Sequence, residues 1–241
     1  MSDLVNSRES LVLIPEKIGC IFDMDGVLFL SSEIHHQAFR EVLAAEPVEV
    51  LDYRELAGMR TDSAIQKIFN QTGAALNSEK LRKLASWKRK YASEMLKKNT
   101  PVAPNCQVVI SELFRRGILL ALASSSSSQN VQLFLDSSDT REFFNVVLSG
   151  EDVKNSKPDP EIFRTARESL GLPPESCFVI EDSESGIRGA LSDGMNVIGI
   201  LGLHTHRDFE SFGVSIVISH LDELLKIAEF KTSGSNIADT L

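Results

Sequence analysis

Cysteine is scarce in this chain: Cys20, Cys106 and Cys177 among 241 residues, an odd number with no C-x-x-C pair. A disulfide framework and the common zinc and redox motifs are thereby excluded. Two of the three lie in or beside apolar runs, so all are expected to pack in the core as small hydrophobes. Basic residues are also outnumbered, 25 against 34 acids, for a formal net charge of −9. Broad binding to nucleic acid or to an anionic membrane is excluded, because such surfaces need an excess of Lys and Arg. Any anion must therefore be held in a local pocket. Long hydrophobic runs are missing too. No segment approaches the roughly 18 apolar residues needed to span a bilayer, and MSDLVNSRES lacks a basic start followed by an apolar stretch. The expectation is a cytoplasmic monomer with no membrane partner.

What is present is an ordinary globular composition, 42% hydrophobic and 24% charged, long enough for one large core and a smaller insert. Short apolar runs rich in β-branched residues (IGCIF, ILLALA, FNVVLS, CFVIE, NVIGIL and SIVIS) read as strands. Their apolar character is continuous rather than alternating, as in strands covered on both faces. Stretches of helical periodicity separate most of them. The fold class is therefore α/β, a Rossmann-like parallel sheet with helices on either side.

One region breaks the alternation. From about residue 32 to 102 no strand is convincing, and three amphipathic stretches, SSEIHHQAFREVLAA, TDSAIQKIFNQTG and SEKLRKLASWKRKYASEMLKK, predict an all-helical insert. Pro101 and Pro104 close it, since each disfavours helix in the residue before it. The expected organisation is a core of residues 1–31 and 103–241 around a helical cap of residues 32–102. Trp87 is expected to pack within the cap, and the polar tail KTSGSNIADTL to fray.

In an open parallel sheet, ligands bind beyond the carboxyl ends of the strands. There IGCIF runs into Asp23 and Asp25, ILLALA into Ser124, Ser125 and Ser126, FNVVLS into a loop bearing Lys157, and CFVIE ends in Glu181 and Asp182. Carboxylates gathered from separate segments suit a hard cation such as Mg2+, which prefers oxygen ligands and keeps water and phosphate in its shell. Hydroxyls and one lysine would then orient phosphoryl oxygens.

These residues stand in four motifs: F-D-M-D-G-V at Phe22–Val27, S-S-S at Ser124–Ser126, S-K-P-D-P at Ser156–Pro160 and E-D-S-x-x-G-I at Glu181–Ile187. In order and spacing they resemble the haloacid dehalogenase-like hydrolases, over nearly the whole chain. The helical insert looks like the small cap of the β-phosphoglucomutase-like subgroup, whose substrate loop G-M-R-T-D-S-A-I-Q-K-I resembles.

The resemblance implies that Asp23 attacks phosphorus to form an aspartyl phosphate, with Asp25 as general acid and base. It implies a Mg2+ site of Asp23, Asp182 and the Asp25 backbone carbonyl, with Glu181 in or next to the shell. Ser124, Ser125, Ser126 and Lys157 would hold phosphate, and His35, Arg60 and Lys88 would contact substrate from the cap. The implied activity is a Mg2+-dependent phosphatase acting on a small phosphorylated metabolite, a sugar phosphate for preference. Phosphomutase and phosphoacceptor receiver are the alternatives. A receiver has no use for Asp25 or for a lid. Leu30 stands where the subgroup usually has Asp, and Arg60 sits one place before its usual cap arginine, which favours phosphatase over mutase.

Overall fold

The computed structural model describes residues 17–227 and Phe230; the N-terminal decapeptide and the tail 231–241 lie outside the described residues. In chain order the elements are β1 (Gly19–Phe22), α1 (Ser32–Leu43), α2 (Thr61–Thr72), α3 (Ser78–Lys98), α4 (Cys106–Arg115), β2 (Leu119–Ala123), α5 (Ser128–Ser138) and β3 (Val146–Leu148). They continue with α6 (Glu161–Leu170), β4 (Cys177–Glu181), α7 (Glu184–Ser192), β5 (Asn196–Ile200), α8 (His206–Ser211) and β6 (Ile216–Ile218). The six strands pair in parallel in the order β3-β2-β1-β4-β5-β6.

Packing explains why the strand sequences do not alternate. Cys20, Phe22, Leu120, Leu122 and Ile180 belong to one apolar cluster with Val109 and Leu113 of α4 and Phe134 of α5. Their neighbours Ile21, Ala121 and Val179 belong to another, with Phe163 of α6 and Ile187 of α7. Both faces of the sheet are buried, so the central positions of the strands are apolar on both sides. The three cysteines are free and buried, as small hydrophobes would be.

Helices α1 to α3 bury Phe39, Leu43, Ile65, Ile68, Phe69 and Leu84 against one another. Full burial of such a side chain contributes about 1.5–3 kcal/mol, so these helices have a core of their own. Gly73 ends α2 at φ +69°, the left-handed conformation in which a Cβ is costly. Trp87, expected to pack here, is instead half exposed: it lies on the outer face of α3. Two crossings join the helices to the sheet. Leu30 N–H donates to Pro101 at 2.7 Å and Ala103 N–H to Leu28 at 2.9 Å, while Phe29, fully buried against Phe134, anchors the joint. Among the described residues, no helix is long and apolar enough to cross a membrane.

Candidate active site

Strand register places the chemistry. Phe22 is aligned with Leu122 on one side and Ile180 on the other, so Asp23, Ser124 and the Glu181–Asp182 pair emerge together at the sheet's carboxyl edge. Lys157, from the loop after β3, is buried beneath them. Its Nζ donates to Asp23 Oδ1 at 2.5 Å and Glu181 Oε1 at 2.8 Å, and lies 4.5 Å over the Phe163 ring. Glu181 Oε2 accepts from the Asp182 and Ser183 amides and from Ser183 Oγ, at 2.8–2.9 Å. Both Glu181 oxygens are thus engaged, and the residue acts as a fixed anchor for Lys157.

Asp23, Glu181 and Asp182 each offer a carboxylate oxygen, all within 4.8 Å of one another. Burial pushes Asp23 up to about 8, Glu181 and Asp25 push the same way, and Lys157 opposes them. Asp182 is raised well above the carboxylate range by burial and by Glu181 and Asp23. Burial by itself would lower Lys157, but Asp23 and Glu181 outweigh it and keep the ammonium protonated. Three buried carboxylates against one ammonium leave a surplus of negative charge that a divalent cation would neutralise. The donor set fits such an ion.

Asp25 is held differently. Ser31 Oγ donates to its Oδ1 at 2.5 Å, Ser126 Oγ to its Oδ2 at 2.6 Å, and His35 Nε2 lies 3.1 Å from Oδ1. Burial opposes ionisation, but attraction to His35 and the bonds from His35, Ser126 and Ser31 outweigh it, leaving Asp25 well below the usual carboxylate range. Behind His35, buried Lys88 places Nζ 2.9 Å from Nδ1 and 4.4 Å over the Phe39 ring. The ionised Asp25 carboxylate only accepts, so His35 Nε2 carries the proton given to it and Nδ1 accepts from Lys88. Lys88 thus meets His35 and Phe39 and is not among the residues that line the cavity.

Asp23, Asp25 and Ser126 line a polar cavity of about 330 Å3 whose other wall, His35 included, comes from the helical insert. Arg60 lines it too, but spends its fork on the core: Nη1 donates to the Gly150 and Val153 carbonyls at 2.9 and 3.2 Å, and Nη2 to that of Lys154 at 2.5 Å. Ser125 Oγ donates to the Gly58 carbonyl at 2.6 Å, and Ser63 and Ser156 hydroxyls meet at 3.0 Å. The insert is thereby clasped onto the sheet's edge. Of the serines expected at phosphate, Ser125 and Ser126 line the cavity, while Ser124 is fully buried and accepts the Ser126 amide at 3.0 Å.

The sequence profile of the haloacid dehalogenase-like hydrolases matches residues 20–200. The chain belongs to that family. It is 33% identical over 181 residues to the phosphorylated carbohydrates phosphatase of Thermotoga maritima, covering 74% of this chain and 82% of that protein. It is 30% identical over 184 residues to the fructose-1-phosphate phosphatase YqaB of Escherichia coli, covering 76% and 95%. The β-phosphoglucomutase of Clostridium difficile shares the fold, with a TM-score of 0.75 at 22% identity, over 86% of this chain and 93% of that one.

In this haloacid dehalogenase-like hydrolase the motif glycines have steric reasons. Gly26 has φ +92°, and a Cβ there would overlap Asp182 Oδ2. A Cβ at Gly186 would overlap Glu181 Oε1. Each glycine makes room for a carboxylate. Sequence reasoning missed Ser31 as a donor to Asp25; its place at the chain crossing, one residue before α1, was the available signal. It also missed Asn130, which lines the cavity but in sequence reads as an ordinary first-turn residue.

Proposed function

We propose that this chain is a Mg2+-dependent phosphatase that hydrolyses a small phosphorylated metabolite, with sugar phosphates as its substrate class, through a phosphoaspartate on Asp23. The observation that carries this reading is the pairing of two unlike carboxylates on one cavity. Asp23 sits on a buried lysine among other acids, and Asp25, two residues on, is held by three donors. A cavity of about 330 Å3 is at the small end of the range that admits metabolite-sized ligands, of order 300–1,000 Å3.

In this scheme Asp23 attacks phosphorus while the bond to the leaving oxygen breaks. Asp25 delivers a proton to that oxygen. Water then attacks the phosphoaspartate, Asp25 takes its proton, and phosphate departs with Asp23 restored. Asp25 rests as a carboxylate; a phosphoryl dianion beside it raises its proton affinity, because neighbouring like charges disfavour ionisation, so that it takes up a proton from solvent as the substrate binds and gives that proton to the leaving oxygen. Asp23 and Asp182 would hold the Mg2+, with Glu181 behind them and the Asp25 backbone carbonyl assigned by family resemblance. When bound, the ion neutralises charge on the phosphoryl oxygens and on the carboxylate approaching them. Ser126 and the adjoining amides orient those oxygens, Lys157 stabilises the Asp23 carboxylate, and the cap, residues 32–102, encloses the leaving group and excludes water.

The names of the two relatives, both phosphatases of carbohydrate esters, support hydrolysis over isomerisation. The test is phosphate release from a panel of sugar phosphates with Mg2+ and with chelator. Metal-dependent release of inorganic phosphate is expected. Isomerised sugar phosphate as the main product, or release that survives exhaustive chelation, would contradict the proposal.

A further inference from the structure

Tyr53 opens a one-turn 3-10 helix, Tyr53–Glu55, in the stretch of the insert between α1 and α2, and Asp52 pins that turn by accepting the Arg54 amide at 3.0 Å. Its ring packs in the insert's own core with Phe39, Leu56 and Ile65. Only 9% of the residue is exposed, and it lines the cavity of Asp23 and Asp25. Among the described residues its Oη makes no hydrogen bond, yet this atom is not sealed from solvent in the way Asn130 Oδ1 is. Burial raises the phenol well above its usual range, and Asp25, Asp182 and Asp23 raise it further, so the hydroxyl stays protonated and its end of the ring lies toward the active-site carboxylates. Buried tyrosine hydroxyls usually find a partner, and one left unbonded on a cavity wall points to a partner from outside the chain.

That partner is not Asp25, whose oxygens already accept from Ser31, Ser126 and His35. Nor does the phosphoryl group suit it. Ser125 and Ser126 meet the cavity from the sheet's edge after β2, whereas Tyr53 comes from the insert on the other wall. What lies between Tyr53 and the sheet's edge is the leaving group, whose oxygen Asp25 protonates. A phenol hydroxyl both donates and accepts, so it matches the hydroxyls and ether oxygens of a sugar or polyol, while the ring of an aryl ester offers it neither.

We propose that Tyr53 is a specificity residue whose hydroxyl hydrogen-bonds an oxygen of the leaving group, selecting polyhydroxylated phosphate esters over bare ones. The assignment rests on the phosphatase reading and names a determinant within its site. A site built to bond a hydroxyl discriminates against a ligand lacking it, because the polar group is then left unpaired.

The test compares kcat/KM for two kinds of ester in Tyr53→Phe, which deletes the hydroxyl and keeps the packed ring. The hydroxylated probes are fructose 1-phosphate, glucose 6-phosphate and sorbitol 6-phosphate, of which the one hydrolysed best by the wild type is carried forward; the bare probe is phenyl phosphate. The ratio of hydroxylated to bare kcat/KM is expected to fall about 3–10-fold, the worth of one neutral hydrogen bond. The Tm of the free protein holds, since the hydroxyl has no partner within the described chain. An unchanged ratio, with or without a lower Tm, makes Tyr53 a packing residue and overturns the inference alone. Equal losses on both esters overturn it as well, because the hydroxyl would then serve the phosphoryl group that the two share. Wild-type hydrolysis of phenyl phosphate but of none of the hydroxylated esters has the same effect, leaving the Asp23 chemistry intact. Release of phosphate from no ester at all would sink the proposed function and this inference with it.

Discussion

Lys88 Nζ lies 2.9 Å from His35 Nδ1, which fixes the imidazole so that its other nitrogen serves Asp25. Burial lowers Lys88 to about 7, with Asp25 pulling it back up and Arg89 pushing it further down. In the unfolded chain a lysine titrates near 10.4. Between about pH 7 and 10 the unfolded state therefore binds more protons than the folded one, and stability rises with pH over that window. Lys88→Met removes the buried charge. It is expected to flatten the rise in stability toward pH 10, and to raise stability most at low pH, where the wild type buries the charge. Activity falls in the same variant, since His35 is no longer held. Thermal melts at pH 6.5 and 9.5 check this; a variant less stable than wild type at both would contradict it.

Gly26→Ala meets two obstacles. A left-handed φ of +92° costs a residue with a Cβ about 1–3 kcal/mol, and the new methyl overlaps Asp182 Oδ2. Because Asp182 must move, kcat is expected to fall at least about 100-fold, a loss of roughly 2.7 kcal/mol in transition-state stabilisation. The drop in stability is modest by comparison. Steady-state kinetics beside circular dichroism separate the two effects, and full activity in a folded variant would count against the proposed metal site.

Arg60 clasps the insert to the 150–154 loop through three carbonyls. Arg60→Lys keeps the charge but loses the planar fork. Its kcat/KM for a sugar phosphate is expected to drop about 10–100-fold, since hydrogen bonds to a charged donor are worth about 1.5–3 kcal/mol each, with a smaller loss for phenyl phosphate, which needs less of the closed lid. Equal losses on both esters would show that the clasp does not serve the leaving group.

Chelation is expected to abolish turnover, and added Mg2+ to restore it while raising Tm by mass action on the folded state. Ca2+ takes more ligands at longer distances and is expected to bind without restoring activity. Differential scanning fluorimetry reads the binding apart from the chemistry. A Tm indifferent to Mg2+ would argue against the buried acidic set as its site.

The six strands and the three helices of the insert were legible because covered parallel strands and amphipathic helices leave different apolar periods. Asp23, Lys157, Glu181 and Asp182 were legible because each stands at a strand's end or in the loop that follows one. The cap residues were not. Arg60 is a charge on a loop, and nothing in the sequence says that its partners are backbone carbonyls 90 to 94 residues on. Lys88 belongs to the run Trp87–Lys90, where helical phase alone cannot tell a buried ammonium from its solvated neighbours. Trp87 misled for a related reason, since size and hydrophobicity suggest burial while the α3 phase turns it outward. Ser31 and Asn130 carry no motif, and only the folded chain brings them to Asp25 and the cavity.

The most direct test is covalent. Enzyme mixed with a hydrolysed sugar phosphate and Mg2+, then acid-quenched within one turnover, is expected to carry the mass of one added phosphoryl group, and borohydride reduction should map it to Asp23. Asp23→Asn, nearly isosteric and folded by circular dichroism, is expected to show neither adduct nor turnover. An adduct on another residue, or sustained hydrolysis by the Asn variant, would contradict Asp23 as the nucleophile.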